Sequence, residues 1–183
     1  MVPAKRGFTL IELVIAIAIL GILIALGIPS FTEWIHNTQV RNAAEGALNG
    51  LQIARSEALR RNGYTQFILD PGTGWRVIAL TPPSGGVGPA CQQIEEIQRR
   101  EGSEGSTTAT VTALPAGVNT VTFTPLGWIG SGTTSCGNVI TQLDFDSATL
   151  TAARSRELRI VITAGGGIRL CDPQVAVGDP RAC

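Results

Sequence analysis

The chain is poor in the residues on which most enzymes and nucleic-acid-binding proteins depend. Charged residues make up 15% of its 183 positions, the formal net charge is zero, and there is a single histidine. A balanced charge supplies no basic field for nucleic acid and no acidic tail for a basic partner. A Ser-His-Asp site needs a histidine beside its nucleophile, whereas His36 follows a long apolar segment. We therefore predict that the protein is not an enzyme and that it has no catalytic residues and no cofactor.

Three short patterns that can mark a ligand site are incomplete. Gly165–Gly167 is not followed by Lys-Ser or Lys-Thr, so it is not a phosphate loop. The cysteines form no CxxC pair and His36 lies far from them, so zinc lacks a ligand set. Asp144 and Asp146 alternate with apolar residues, which is typical of the polar face of a strand rather than of a calcium site. The sequence therefore predicts no metal site.

The most prominent feature present is one long apolar run. Phe8 to Ile28 spans about 21 residues, roughly 32 Å as a helix, which is enough to cross a bilayer. Glu12 lies near the start of this run, and a carboxylate in a membrane helix costs about 2.5–3.5 kcal/mol at the helix centre. A simple anchor has no use for such a group. Glu12 is therefore a candidate functional residue that needs a partner charge.

The flanks of the apolar run predict its orientation. Lys5 and Arg6 precede it and no basic residue follows before Arg41, so we expect the N-terminus in the cytoplasm and the remainder to be exported. The Ala-Leu-Gly stretch at 25–27 is an acceptable cleavage site for a secretory signal peptide, which is one alternative; a simple anchor is another. Both alternatives leave Glu12 unexplained.

All four cysteines lie beyond the apolar run. An even number on that side suggests two disulfides in an oxidising compartment. Four cysteines allow three pairings, and the sequence alone does not select among them. We predict nearest-neighbour pairing, Cys91 with Cys136 and Cys171 with Cys183.

The segment GFTLIELVIAIAILGILIALGIPSF resembles the N-terminus of type IV pilins and pseudopilins. The match comprises a short basic leader, residues 1–7, which ends in Gly7 and is followed by Phe-Thr-Leu-Ile-Glu. The resemblance implies that a prepilin peptidase cleaves between Gly7 and Phe8 and then N-methylates the new Phe8 amine. It also implies that Glu12 helps to recruit the subunit into a growing filament.

Electrostatics and helix geometry agree with these roles. After cleavage the Phe8 amine is a cation one turn from Glu12 and on the same helix face. In a water-free filament core, pairing Glu12 with the amine of a neighbouring subunit relieves two buried charges and specifies the axial register. Gly21 and Pro29 weaken the helix. Pro29 can be interpreted equally well as the site of a kink or as a harmless proline at the membrane boundary. The resemblance implies that this stretch loosens on entry into a filament.

The helix is predicted to continue as an amphipathic helix over residues 30–62 and to stop at an Asn-Gly pair. Trp34 is interpreted as an interfacial anchor or filament contact, and His36 as a solvated helix residue. Glu57 and Arg61 form a favourable i,i+4 pair on the outer face. A stripe with i, i+3, i+4 spacing is expected to pack on a sheet. Its members are Ala44, Ala47, Leu48, Leu51, Ala54, Ala58 and Leu59.

Beyond the helix the pattern becomes strand-like, which indicates a β-rich domain over residues 63–183. Turns at Asp70–Gly72 and Gly165–Gly167 are expected to close hairpins. The segment QQIEEIQRRE, which begins at Gln92, is predicted to be a short helix or a polar loop. The candidate strands are TQFILD, WRVIAL, VTFTPLGWI, QLDFDS, ELRIVIT and IRLC.

Three further segments narrow the resemblance. VRNAAEGALNGLQIARSEALRRN, VTFTPLGW and RIVITAGGGIRLC are similar to minor pilins of the GspH/FimT/FimU type. This implies an α+β fold in which a long N-terminal helix, transmembrane over 8–29 and amphipathic beyond, packs on a small antiparallel β-sandwich. It implies a minor type IV pilin that primes assembly at the tip of a filament used for adhesion and twitching motility. The implied partners are the prepilin peptidase, other major and minor pilins or pseudopilins, and an inner-membrane assembly platform.

The sequence is also compatible with two other functions. A type II secretion pseudopilin uses the same helix chemistry and is not separated from a pilin. Some FimT-type members bind DNA through a basic C-terminal motif resembling G-R-x-R. Here only Arg169 matches, because Gly167 stands in place of the first arginine, and Arg181 is a second candidate phosphate contact. In each case we expect a single-pass inner-membrane protein with a periplasmic C-terminal domain, before incorporation into a filament.

Overall fold

The computed structural model describes residues 9–83, 90–132 and 135–183. Its contacts divide the chain into two compact units, Met1–Ile35 and His36–Cys183. One helix, α1 (Leu10–Arg61), contributes to both units. It ends where Asn62 adopts a positive φ of 47° and the N–H of Gly63 donates to the carbonyl of Ala58 at 3.1 Å, the helix stop expected from the Asn-Gly pair.

The described residues of the second unit also form two four-stranded antiparallel sheets. The strands are β1 (Tyr64–Leu69), β2 (Trp75–Leu80), β3 (Gln93–Arg100), β4 (Ala109–Leu114), β5 (Thr120–Phe123), β6 (Gln142–Ser147), β7 (Leu158–Ile162) and β8 (Ile168–Cys171). One sheet has the order β3-β2-β1-β5 and the other has the order β4-β6-β7-β8. The predicted fold class, α+β with a long N-terminal helix and a small antiparallel sandwich, is confirmed.

Both predicted hairpin turns are present. The N–H of Asp70 donates to the carbonyl of Gly74 at 2.9 Å and closes the turn between β1 and β2. The N–H of Thr163 donates to the carbonyl of Gly167 at 2.9 Å and closes the turn between β7 and β8. Within the second turn Gly166 has a φ of +78°, a left-handed conformation that glycine adopts without steric cost.

The prediction of a helix or loop for QQIEEIQRRE is wrong, because this segment forms β3 at the edge of the first sheet. The register with β2 is irregular: Val77 and Ile78 pair with Gln98 and Glu96, so Ile97 is skipped. A second irregularity skips Ile94 in the same way. Such bulges remove the alternation by which a strand is recognised in a sequence. The candidate strands also omit β4, although the first five residues of its sequence ATVTAL alternate between apolar residues and threonine.

The apolar stripe of α1 forms one wall of a core to which both sheets contribute. Most of the predicted stripe is buried or packs against the core, and Val40 and Ala43 extend it toward the N-terminus. The buried members are Ala44, Ala47, Leu51, Ala54 and Ala58, with Leu48 half-buried. Leu59 is an exception, since 51% of it is exposed. Its methyl groups lie against the backbone of Gly127 in an outer turn, rather than in the core.

Gly50 allows the largest buried side chain to lie against the helix backbone. A Cβ at position 50 would lie 2.8 Å from two ring carbons of Trp75, and only 1% of Trp75 is exposed. The ring stacks on Phe67 within the core, so moving it disturbs close-packed neighbours. We expect Gly50→Ala to lower the free energy of unfolding by about 1–3 kcal/mol, despite the better helix propensity of alanine. Urea unfolding of the full chain in a mild detergent measures this loss.

Gly46, one turn earlier, provides the matched control. A Cβ at this position would meet the guanidinium of Arg100, the far end of a flexible side chain. Arg100 can move toward solvent at the cost of its two exposed hydrogen bonds, to the carbonyls of Asn42 and Glu104, and water replaces both. The gain in helix propensity therefore offsets most of the loss. We expect Gly46→Ala to stay within about 1 kcal/mol of the wild type. Equal losses at both positions would contradict the packing argument.

An ion-pair network joins the end of α1 to β3. Glu57 accepts hydrogen bonds from Arg60 and from Arg61, the second at 2.8 Å in the predicted i,i+4 pair. Arg61 also pairs with Glu95 of β3 at 2.6 Å. The hydrogen bonds from Arg60 and then Arg61 lower the pKa of Glu57 to about 2.

This network predicts a pH dependence of stability. The pKa of Glu57 is lower in the folded state than the ordinary value of 4.5. The ionised side chain therefore stabilises the folded protein above pH 4.5, and this stabilisation is lost as the pH falls toward about 2. We expect Glu57→Gln to destabilise the protein at neutral pH and to match the wild type near the acid limit. Urea unfolding of both proteins between about pH 6 and 2.5 measures this difference. A difference that stays constant with pH would exclude Glu57 as its source.

The structure contains the disulfides Cys91–Cys136 and Cys171–Cys183, which is the nearest-neighbour pairing. The first joins the start of β3 to the segment between β5 and β6. The second ties the C-terminal tail to the end of β8, where the N–H of Asp172 donates to the carbonyl of Arg181 at 2.8 Å. The tail is thereby held against one strand end of the second sheet.

Candidate assembly site

Thr9 sets the start of α1 and the position of Glu12 within it. The carbonyl of Thr9 accepts a hydrogen bond from the N–H of Leu13 at 3.2 Å, and the Thr9 hydroxyl accepts one from the N–H of Glu12 at 3.3 Å. Thr9 is therefore the N-cap and Glu12 occupies the third helical position, as in a capping box. This places the Glu12 carboxylate in the first turn, near the positive end of the helix dipole.

The apolar side chains that follow Glu12 are uncovered. In the most apolar 18-residue window of α1 no residue is buried, and by length and composition this segment can cross a membrane. Glu12 is exposed as well, and no ion pair joins it to another residue of the described part of the chain. An apolar surface of this length needs lipid or other helices to cover it.

The structure describes only some of the residues that are predicted to take part in processing and in loosening of the helix. Gly7, Phe8 and the rest of the leader lie outside the described residues. Helix α1 continues through Gly21 and Pro29 without interruption in its secondary structure. A Cβ at Gly21 would meet nothing within 4 Å among the described residues, so no contact with them requires glycine there. The cleavage, methylation and loosening roles of these residues stay predictions.

Two aromatic residues lie just beyond the apolar segment. The rings of Phe31 and Trp34 stack with centroids 5.7 Å apart, and both side chains are largely exposed. Exposed aromatic side chains near the end of a membrane helix are typical of interfacial anchors. This arrangement agrees with the interpretation of Trp34.

The second unit begins with polar side chains that hold α1 to the surrounding loops. His36 Nδ1 lies 2.9 Å from the hydroxyl of Thr108, and Gln39 Oε1 accepts hydrogen bonds from the hydroxyl and the N–H of Thr108. Asn37 accepts a hydrogen bond from the N–H of Arg156 at 2.8 Å and donates one to the carbonyl of Arg154 at 3.0 Å. The interpretation of His36 as a solvated residue is wrong, because its ring is half-buried and hydrogen-bonded across the fold.

The two arginines predicted as phosphate contacts are engaged by the chain's own tail. Arg169 donates a hydrogen bond to the carbonyl of Cys183 at 3.2 Å. Arg181 makes two hydrogen bonds to Asp179, at 3.1 and 2.9 Å, and these lower the pKa of Asp179 to about 2. Each guanidinium therefore has less capacity to bind a phosphate than the sequence suggests.

Two arginines that the sequence analysis did not single out accompany Arg181. Arg41 of α1, Arg156 and Arg181 line one cavity of about 280 Å³, together with Asp172. These residues are far apart in the sequence, so no local signal could have grouped them. The carboxylates of Glu45, Asp172 and Asp179 offset the three positive charges, so the cavity is not a strongly basic site.

Asp144 and Asp146 have structural partners. Asp144 accepts hydrogen bonds from Arg159 and Gln142, both at 2.6 Å. Asp146 accepts one from the N–H of Ser147 at 2.6 Å and one from the hydroxyl of Ser155. Within the described ranges, no group of three or more histidine, cysteine or acidic residues is arranged to hold a metal ion.

These features define a pilin-like protein: a helix with an uncovered apolar start, an acid in its first turn, and two antiparallel sheets packed on its later half. The family model described as "Type II transport protein GspH" matches residues 43–166, which is more than half of the chain. The model described as "Prokaryotic N-terminal methylation motif" matches residues 3–28. The chain therefore belongs to the GspH family and carries the N-terminal methylation motif.

Known relatives are fimbrial proteins. The chain is 42% identical over 76 residues to a type IV major fimbrial protein FimA of Dichelobacter nodosus, covering 40% of this chain and 45% of the relative. It is 38% identical over 93 residues to a fimbrial protein of Pseudomonas aeruginosa, covering 43% of this chain and 60% of the relative. The chain thus spans about half the length of the curated relatives it matches.

A solved structure supports the fold. The crystal structure of the type IV minor pilin FimU of Pseudomonas aeruginosa matches 77% of this chain and 94% of its own chain. The sequences are 21% identical and the TM-score is 0.51, so the likeness concerns the fold alone.

Proposed function

We propose that this protein is a minor type IV pilin that primes filament assembly, sits at the filament tip and has no enzymatic activity of its own. The supporting observation is the apolar start of α1, which is uncovered within the described chain and carries Glu12 in its first turn. A soluble domain has no need of such a segment. A subunit that passes from a bilayer into a filament needs one, because both environments exclude water.

The proposed sequence of events follows from the charges at the start of the helix. A prepilin peptidase cleaves between Gly7 and Phe8 and methylates the Phe8 amine, which stays cationic. At the inner-membrane assembly platform, the carboxylate of Glu12 then pairs with the amine of a neighbouring pilin. Pairing matters because either charge alone in a dry helix bundle costs several kcal/mol. The second unit, His36–Cys183, is thereby left in the periplasm and later at the filament surface.

A pseudopilin of a type II secretion system is the second candidate. The description of the matching family, a type II transport protein, favours it. The chemistry at Glu12 is the same in both functions, so the distinction depends on which assembly the protein enters.

Deletion of the gene, with the full chain restored on a plasmid, distinguishes the two candidates. For a minor pilin we expect surface filaments and twitching motility to be lost while the secretion of exoproteins is unchanged. Loss of secretion with filaments retained would replace the pilin proposal by the pseudopilin. No change in either process would contradict both.

A further inference from the structure

Three exposed apolar side chains of the second unit lie together near the end of α1. Leu126 and Trp128 flank Gly127 in the turn after β5, and 65% and 58% of these two residues are exposed. Leu59 of α1 is the third, and its methyl groups lie 3.2–3.3 Å from the Cβ position of Gly127. Aromatic and aliphatic groups clustered in this way at a surface are typical of a protein-binding site.

The turn that presents these side chains is held firmly. The N–H of Thr124 donates to the carbonyl of Trp128 at 2.9 Å, the N–H of Gly127 donates to the carbonyl of Thr124 at 2.8 Å, and Gly127 has a φ of +74°. The Gly127 carbonyl accepts a hydrogen bond from Nε of Arg55 at 3.2 Å. It also lies so close to Gly166 that any side chain there would collide with it. The turn is therefore already ordered in the free protein. Binding of a partner at this turn costs little conformational entropy.

A groove runs beside this turn along α1. Its volume is about 310 Å³ and its lining residues are Gln52, Arg55, Ser56, Leu59 and Ile168. Four of these five residues follow the i, i+3, i+4, i+7 spacing of one helix face, so one wall of the groove is two turns of α1. Among the lining residues that the structure describes, only Arg55 is charged. Its terminal nitrogens make no hydrogen bond or ion pair with the described residues, although its Nε is bound to Gly127.

We infer that the Arg55 groove, next to the Gly127 turn that carries Leu126 and Trp128, binds the helix of a neighbouring pilin-like subunit through a carboxylate that pairs with Arg55. A half-buried guanidinium with free terminal nitrogens matches a carboxylate in geometry and in charge. Side chains on one face of a helix form grooves that accept the ridges of a second helix. The inference rests on the proposed function, because that function places the helices of neighbouring subunits side by side.

Charge reversal at Arg55 tests the pairing. We expect Arg55→Glu to reduce the amount of protein in sheared filaments at least about tenfold, because it places two carboxylates together. Arg156→Glu is the control: it makes the same charge change at an exposed residue outside the groove. We expect less than about a twofold loss for this control. Thermal unfolding of both purified full-length variants checks folding, and Arg55→Gln replaces Arg55→Glu in the assay if the latter does not fold.

Photo-crosslinking in membranes and filaments identifies the occupant. A photoreactive amino acid replaces Ser56 in the groove or, as a control, the exposed Ile94 on β3. We expect position 56 alone to give an adduct with a protein that carries the N-terminal methylation motif, and Arg55→Glu to abolish that adduct. Each of the following results would overturn the inference: an adduct with a protein that lacks the motif, no adduct, or an adduct that survives Arg55→Glu.

The wild-type protein in the same filament preparation separates this inference from the proposed function. If the wild type is present in filaments but the variant with the photoreactive amino acid at position 56 gives no adduct there, the groove assignment fails and the pilin proposal stands. If the wild type is absent from filaments, the proposed function itself fails.

Discussion

Glu12→Ala is expected to give a protein that inserts in the membrane and is processed normally but no longer enters filaments. The variant removes an acid whose only specific role in an apolar segment is to meet a cation. The Phe8 amine of the neighbouring subunit then loses its partner in a dry environment, which costs about 3–5 kcal/mol. That free energy corresponds to a more than hundredfold loss of incorporation. The ratio of sheared-filament protein to membrane protein measures it.

Glu33→Ala is a suitable control for this experiment. Glu33 belongs to the same unit of the chain but lies beyond Pro29, outside the apolar run. The variant changes the net charge by the same amount and should enter filaments at close to the wild-type level. Normal entry of Glu12→Ala, or equal losses for both variants, would contradict the charge-pairing argument.

Removal of Cys91–Cys136 is expected to cost the most stability of any change outside the apolar segment. The bond closes a loop with a sequence separation of 45, for which the chain-entropy model gives about 4 kcal/mol. The separation of 12 for Cys171–Cys183 gives about 3 kcal/mol. We therefore expect Cys91→Ser/Cys136→Ser to unfold at lower urea than Cys171→Ser/Cys183→Ser, with the wild type the most resistant.

Non-reducing urea unfolding of the three full-length proteins in a mild detergent measures this order. Each variant replaces both cysteines of a pair, so no free thiol is left to exchange. Gln66 donates a hydrogen bond to the backbone carbonyl of Cys136 at 2.8 Å, a contact that does not involve either sulfur atom. The reverse order of stability, or no loss in either variant, would contradict the loop-closure explanation.

The fold was predictable to the extent that its signals are local. The apolar run, the Asn-Gly stop and the apolar stripe can each be recognised within one stretch of sequence, and the structure has all three. The strand β3 was not predictable, because its pairing with β2 skips Ile94 and Ile97 and so hides the alternation. The burial of His36 depends on Thr108, which is 72 positions away and carries no sign of the contact in its own surroundings.

The candidate functional residues also differ in whether a local signal identifies them. Glu12 was identified from the chemistry of one residue in one segment, because a carboxylate in an apolar helix is conspicuous wherever it occurs. The Arg55 groove was not identified, because Arg55, Gly127 and Ile168 come from three separate elements. In the sequence Arg55 is one of several arginines on an amphipathic helix. Only its contact with the Gly127 turn distinguishes it from the others.

Mass spectrometry of the N-terminal peptide, from protein purified out of sheared surface filaments, tests the central claim most directly. The account predicts that the protein is present in this fraction and that its chain begins at N-methylated Phe8, with residues 1–7 removed. A protein that retains its leader, begins elsewhere or is absent from the filaments while abundant in the membrane would contradict it.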